Sequence, residues 1–346
     1  MRILASDVHV SRAADVLLAG QFCLQKGQSV LITADNRSDP VLVDALAVSA
    51  DRLGGRPIVM SIPQLPFQGK LADPYLSEPL LAATSCADIW LDMTFPSMAG
   101  SRAFDEALKA KRARYLLLGD IGSEGFSRMY ARVDFDRLFE LQAAMDSFFA
   151  GAEGKSCRIT TPAGSDFTFR LAKAGTRKER FATKPGAQTV FGSALFHPDL
   201  ESVRGVIALE SIFHEYYTQL PEPLVLEVDG KIRSLKGRAE DARIADRALR
   251  RAAGGEYGHV IHLSLGLHPC AVATGRSFIE DIRVVGANAI GLGEPWWVPG
   301  GGENHPDGVI TNQSIWIEDE PVVQEGRLVH PKESAALLSQ LAPLYR

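Results

Sequence analysis

Ser29-Val-Leu-Ile-Thr-Ala-Asp-Asn-Arg-Ser-Asp-Pro-Val-Leu-Val-Asp-Ala-Leu-Ala-Val-Ser-Ala-Asp-Arg-Leu-Gly-Gly-Arg-Pro-Ile-Val-Met-Ser-Ile62 reads as a strand, a helix and a second strand in succession. The apolar run Ser29–Thr33 has the length and β-branched content of a buried strand. Asp39 then offers a side-chain acceptor to the open N–H groups of a helix start, and Pro40 suits the first helical position, where no N–H is needed. Val43, Leu46, Ala50 and Leu53 recur at helical spacing until Gly54-Gly55 stops the helix, and Pro57–Ile62 is the next strand. A strand joined through a helix to its neighbour implies a parallel pair.

The same alternation extends outward. Asp88–Asp92 and Arg114–Leu118 read as further strands, with a helix around Phe104–Arg112 between them and a longer amphipathic helix over Asp136–Phe149. Upstream, Ala14, Val16, Leu17, Leu18, Phe22 and Leu24 read as a buried helix face rather than the unbroken apolar run of a signal peptide. Residues 1–150 are therefore expected to form an α/β, Rossmann-like domain with a parallel sheet. Ala150–Ser156 is small, polar and Gly-containing, which makes it the expected boundary. Over 151–346 the texture changes. A hairpin-like pair (Cys157–Thr161, Asp166–Leu171), strands at Gly205–Ser211, Leu224–Val228, Ile261–Leu267 and Ser314–Ile317, and a helix over Ala239–Ala253 predict an α+β domain with a mixed or antiparallel sheet.

Composition narrows the function. Of 346 residues, 37 are Lys or Arg and 42 Asp or Glu, and the net charge of −5 argues against an extended nucleic-acid or anionic-membrane surface. A small molecule is the expected partner. Cys23, Cys86, Cys157 and Cys270 form no CxxC pair, so neither a zinc knuckle nor a disulfide framework is indicated, and a reducing cytoplasm is the expected compartment. No stretch approaches the ~20 apolar residues of a membrane helix. There is no Gly-x-Ser-x-Gly elbow for a serine hydrolase, and no full Gly-x-Gly-x-x-Gly follows the first strand, so a dinucleotide is not called for.

Histidine placement points to chemistry. In His259-Val-Ile-His-Leu-Ser-Leu-Gly-Leu-His268, read as a strand, Ile261, Leu263, Leu265 and Leu267 face a core, while His262, Ser264 and Gly266 face the other way. A buried histidine bound to a carbonyl is the plain alternative. In Gly300-Gly-Gly-Glu-Asn-His-Pro-Asp-Gly308, His305 and Asp307 lie on one side of an extended segment that Pro306 keeps out of a helix. The glycine run lacks the Lys-Ser/Thr of a phosphate loop. His262, His305 and Asp307 together make a two-histidine, one-carboxylate set, the ligation of non-haem Fe(II) enzymes and equally compatible with a catalytic zinc. Glu210, His214 and Glu215, after the strand-like run Val206–Leu209, are either groups acting beside the metal or exposed polar residues. His197-Pro-Asp199 reads as a surface turn, His268-Pro-Cys270 as a thiolate pair or equally a strand end broken at proline, and Trp296-Trp297 as a pocket wall or a core contact.

Ala163–Phe167, Val260–Pro269, Asn304–Asp307 and Ser314–Val323 occur in an order that resembles the thermophilic metallo-aminopeptidases of the aminopeptidase T type. The order resembles more closely the related 2,5-dihydroxypyridine 5,6-dioxygenase family of nicotinate breakdown. The likeness covers most of the C-terminal half and, by pattern only, the N-terminal half. In the aminopeptidases it implies two metal ions held by glutamates, a further histidine and a His-x-Asp pair. In the dioxygenases a histidine replaces one glutamate and a single Fe(II) is bound. His262 stands at that place, so the resemblance implies one Fe(II) on His262, His305 and Asp307 and cleavage of a hydroxylated aromatic or N-heteroaromatic ring. It also implies a homo-oligomer. Ser264 is expected to touch substrate or orient a ligand, with His214 and Glu210 as further catalytic candidates. The alternative is a zinc or cobalt aminopeptidase, for which Glu294 and Glu303 are the nearby extra ligands; a binding protein that has lost its metal is the third reading. Two departures from the dioxygenase pattern bear on the substrate. Lys184–Gly192 lacks the Trp and His of the family's substrate-handling stretch, and the segment Gly291–Gly302 is longer, with its own Trp pair.

Overall fold

The computed structural model describes residues 5–173, 179–295, 298 and 305–341. It divides into two compact units, one of Met1–Phe135, Lys178–Val190 and Pro343–Arg346, the other of Asp136–Arg177 and Phe191–Ala342. The strands are, in chain order, β1 (Ser29–Ala34), β2 (Arg56–Ser61), β3 (Ile89–Asp92) and β4 (Arg114–Leu117) in the first unit. β5 (Ser156–Thr160) and β6 (Asp166–Arg170) follow in the second, and β7 (Gly186–Gln188) returns to the first.

The first unit is a five-stranded parallel sheet in the order β2-β1-β3-β4-β7, dressed by α1 (Ala5–Asp15), α2 (Pro40–Arg52), α3 (Glu78–Cys86), α4 (Arg102–Lys109) and α5 (Ser123–Ala131). The start of α2 is built as the sequence reads. Asp39 accepts from Val41 N–H at 2.9 Å, Pro40 takes the first position, and Gly54 closes the end at φ +83°. The second oxygen of Asp39 accepts from Ser123 N–H at 2.7 Å, so one carboxylate serves the starts of two helices. On one face of the sheet the core gathers Leu31, Trp90 and Tyr115 with Leu80, Leu81, Ala103 and Ala107 from α3 and α4. Asp92, buried at the end of β3, accepts from the hydroxyls of Thr33, Thr94 and Tyr115 and from Met98 N–H; burial still pushes its carboxyl up.

The second unit opens with α6 (Phe135–Gly151), which lies upstream of the expected boundary at 150. Its aromatic face holds it here: Phe139 meets Phe191 at 5.3 Å between ring centroids, and Phe149 stacks on Phe196 at 4.2 Å. The remaining strands are β8 (Ser193–Phe196), β9 (Arg204–Phe213), β10 (Tyr217–Asp229), β11 (Lys231–Lys236), β12 (His259–Gly266), β13 (Asn288–Gly293), β14 (Asp307–Ile310), β15 (Ser314–Ile317), β16 (Glu320–Gln324) and β17 (Arg327–Leu328). With β5 and β6 they form one twelve-stranded sheet in the order β17-β16-β15-β5-β6-β9-β14-β13-β12-β8, with β10 on β9 and β11 on β10; its strand pairs are antiparallel. The helix α7 (Ala239–Ala252) joins β11 to β12, and the short α8 (Phe278–Asp281) lies between β12 and β13. Among the described residues no helix is long and apolar enough to cross a membrane.

Candidate metal centre

β12, β13 and β14 are adjacent, and their register decides what meets. His262 on β12 stands opposite Gly291 on β13, and Gly291 stands opposite Asp307 on β14. Residues opposed across a ladder share a face, so the three lie abreast with glycine in the middle. A Cβ built on Gly291 would fall 2.1 Å from His262 Nε2, which means the imidazole lies across the backbone of the middle strand. From there it reaches Asp307. His305, two residues before Asp307 in the lead-in to β14, points to the same side.

The outcome is a triangle of donor atoms. His262 Nε2 is 3.3 Å from Asp307 Oδ1 and 3.3 Å from His305 Nε2, and His305 Nε2 is 3.4 Å from Asp307 Oδ2. Ligand atoms ~2.1 Å from one ion at tetrahedral to octahedral angles lie ~3.0–3.4 Å from each other. The three residues therefore fit a divalent ion by spacing and by chemistry, since two ring nitrogens and a carboxylate converge on one point. Asp307 and His262 are buried and His305 is half-buried. Burial alone would raise the Asp307 carboxyl, but the two neighbouring histidines outweigh it and hold it below the usual carboxylate range. The group is thus an ionised carboxylate at neutral pH. Among the described residues it is the one cluster of three His, Cys, Asp or Glu side chains with metal-ligand spacing, and no second cluster of the kind a two-metal enzyme needs is present there.

The other candidate residues fall elsewhere. Ser264 sits two positions along β12 from His262, opposite Ala289 and Leu195. Glu210 accepts from Thr311 N–H at 2.6 Å and from the Thr311 hydroxyl at 3.0 Å, and it lines a separate cavity of about 440 Å³ with Tyr217 and Asp281. His214 and Glu215 are not exposed polar residues: β9 runs on to Phe213, and both side chains are buried. His214 Nδ1 lies 2.8 Å from Glu215 Oε2, Glu215 is held by Arg251, and burial with the nearby guanidinium groups of Arg251 and Arg247 lowers the imidazole to about 4. His197 is not on a surface turn either. It is buried, with Nδ1 3.2 Å from the Ile261 carbonyl. The reason is a register shift between Val260 and His262, which leaves Ile261 out of the β12–β13 pairing. Gly266 makes room for backbone and not for a ligand, since a Cβ there would meet Val284 O at 2.1 Å. His268 Nδ1 accepts Cys270 N–H at 3.2 Å inside the core. Trp296, Trp297, Glu303 and the glycines 300–302 lie outside the described residues.

Comparison with known proteins bears on family and fold. The profile of the NicX family, described as 2,5-dihydroxypyridine 5,6-dioxygenase, matches residues 19–330. The chain is 24% identical over 331 residues to the 2,5-dihydroxypyridine 5,6-dioxygenase of Pseudomonas putida KT2440, covering 89% of this chain and 93% of that protein. The solved structure of the 2,5-dihydroxypyridine dioxygenase from Pseudomonas putida KT2440 superposes with a TM-score of 0.69 at 20% identity, over 96% of this chain and 100% of the other. Wild-type AmpT from Thermus thermophilus gives a TM-score of 0.66 at 15% identity, over 94% of this chain and 100% of the other. Both share the fold.

Proposed function

This chain belongs to the 2,5-dihydroxypyridine 5,6-dioxygenase family, and from that premise we propose that it is an iron-dependent dioxygenase that opens a hydroxylated aromatic or N-heteroaromatic ring. The observation that carries the reading is the His262–His305–Asp307 triangle, with edges of 3.3 to 3.4 Å. These residues hold the metal on this reading. When bound in such a set, Fe(II) supplies Lewis acidity and electrons for dioxygen chemistry at the positions the protein leaves open. The chain's own part is positional and electrostatic. Asp307, kept ionised, brings the negative charge that offsets part of the dication's, and Gly291 keeps the His262 ring in the plane where it meets the carboxylate. His262 and His305 present Nε2 lone pairs, which requires neutral rings. Ser264, on the same strand as His262, orients substrate at that face.

The test is metal content per chain after anaerobic reconstitution with Fe(II), for the parent and His305→Ala, followed by oxygen uptake with 2,5-dihydroxypyridine and with dihydroxybenzoates. One iron per parent chain, lost in the variant, with uptake on a ring substrate is the expected result. Two zinc or cobalt ions per chain together with peptide hydrolysis would replace this reading with an aminopeptidase.

A further inference from the structure

A second cavity in the same unit, about 790 Å³, lies beside β12 and is bordered by His259, Glu294 and Glu201. The register shift at Ile261 sets its chemistry. His259 stands opposite Gly293 and His262 opposite Gly291, so both imidazoles share one face although they are three residues apart. His259 is more than nine-tenths buried. Its Nε2 lies 3.3 Å from Glu201 Oε1, while its Nδ1 has no hydrogen-bond partner among the described residues and lies 3.8 Å from Glu294 Oε2. That gap is too long for a direct hydrogen bond. In the neutral ring the Nε2 proton goes to Glu201, which leaves the Nδ1 lone pair buried and unpaired 3.8 Å from the Glu294 carboxylate, itself three-quarters buried, at the cavity wall.

Two acceptors so placed call for one donor group with two hydrogens to give. The surroundings favour a charged one. Arg170 is matched by Asp199 at 3.0 Å, so among the described residues of the lining Glu153, Glu201 and Glu294 face Lys173 as the one unmatched cation. Leu171, Ala172, Pro198 and Pro295 line the rest with apolar surface. We propose that this cavity is a binding site for a small primary amine, its ammonium bridging His259 Nδ1 and Glu294 and its apolar body lying against Leu171, Pro198 and Pro295. The site is separate from the metal triangle and does not depend on the dioxygenase reading.

The probe is benzylamine, titrated into the full-length protein by calorimetry and by ligand-observed NMR, with benzyl alcohol as the isosteric neutral control. Saturable benzylamine binding is expected, with benzyl alcohol at least ~10-fold weaker. Glu294→Gln, which keeps the shape and removes the charge, is expected to weaken the amine at least ~10-fold, and Ala172→Phe, which fills the apolar end, to abolish binding. Asp307→Asn, which disables the metal triangle, is expected to leave the amine affinity unchanged. Equal binding of amine and alcohol, an unchanged affinity in Glu294→Gln, or loss of binding in Asp307→Asn would overturn the assignment, as would the absence of saturable binding in the parent.

Discussion

Replacing Gly291 with alanine places a methyl carbon 2.1 Å from His262 Nε2 and 2.2 Å from its Cδ2. Non-bonded carbon and nitrogen need about 3.5 Å, so the ring must retreat by about 1.4 Å or turn to another rotamer. Metal sites hold their ligand distances to about 0.2 Å, several-fold less than that displacement. On the proposed ligation His262 is then lost to the metal although its chemistry is intact. Loss of a supporting residue around a metal site costs about 10–100-fold in affinity, and displacing a direct ligand should reach at least the upper figure, about 2.7 kcal/mol. The backbone is not the obstacle, since Gly291 does not occupy the left-handed region that glycine alone favours. Overpacking should cost stability about 1–3 kcal/mol, leaving a folded chain to assay. Competition between the protein and a chromogenic chelator for Fe(II), with circular dichroism as the folding check, reads the effect. A folded Gly291→Ala protein that holds iron as tightly as the parent would refute both the placement of the ring over β13 and the role given to His262.

Further outcomes follow from other contacts. His214, lowered from 6.5 to about 4 in the folded state, contributes stability that is present above pH 6.5 and lost as pH falls from 6.5 to about 4. At about 1.4 kcal/mol per pH unit the ceiling is about 3 kcal/mol, and urea unfolding across that window should show a steeper pH dependence in the parent than in His214→Asn. Asp39→Ala should cost about 1–2 kcal/mol, because it strips acceptors from the starts of both α2 and α5; a change within about 0.3 kcal/mol would contradict that double role. Tyr115→Phe removes a donor, 2.9 Å away, from the buried Asp92 carboxylate and should lower thermal stability by about 1–3 kcal/mol without altering metal content.

What could be read from the chain was whatever local chemistry marks strongly. The α2 helix was legible because Asp39-Pro40 and Gly54-Gly55 bracket it, and β15 because Ser314–Ile317 alternates cleanly. The convergence of His262, His305 and Asp307 was legible for a similar reason, since alternation around His262 and the two-residue spacing of His305 and Asp307 each restrict direction. Other features depend on partners far along the chain. β13, Asn288-Ala-Ile-Gly-Leu-Gly293, is poor in β-branched residues, and the use of Gly291 exists only because His262 is opposite it. β10 carries Pro221 and Pro223, so only Leu224–Val228 reads as strand, although β9 supports the whole of Tyr217–Asp229 apart from a shift between Gln219 and Leu224. Pro198 makes His197 look like a turn, and the bulge that gives its imidazole an acceptor is a property of the β12–β13 pairing, which no local pattern announces.

The return of Gly186–Gln188 to the parallel sheet has a consequence for how the protein is made. β4 pairs with β7 through Arg114–Gly186, Tyr115–Ala187 and Leu116–Gln188, so the last strand of the first sheet leaves the ribosome only after β5 and β6 of the other unit. Synthesis runs from the N-terminus, and a sheet cannot finish before its strands exist. Until residue 188 emerges, the nascent chain carries β4 with an unpaired edge, the kind of surface that recruits other strands. A fragment ending at residue 150 would keep that bare edge permanently, and a chaperone acting on this protein during translation would find its target there, well before the residues that are proposed to hold the metal have been made.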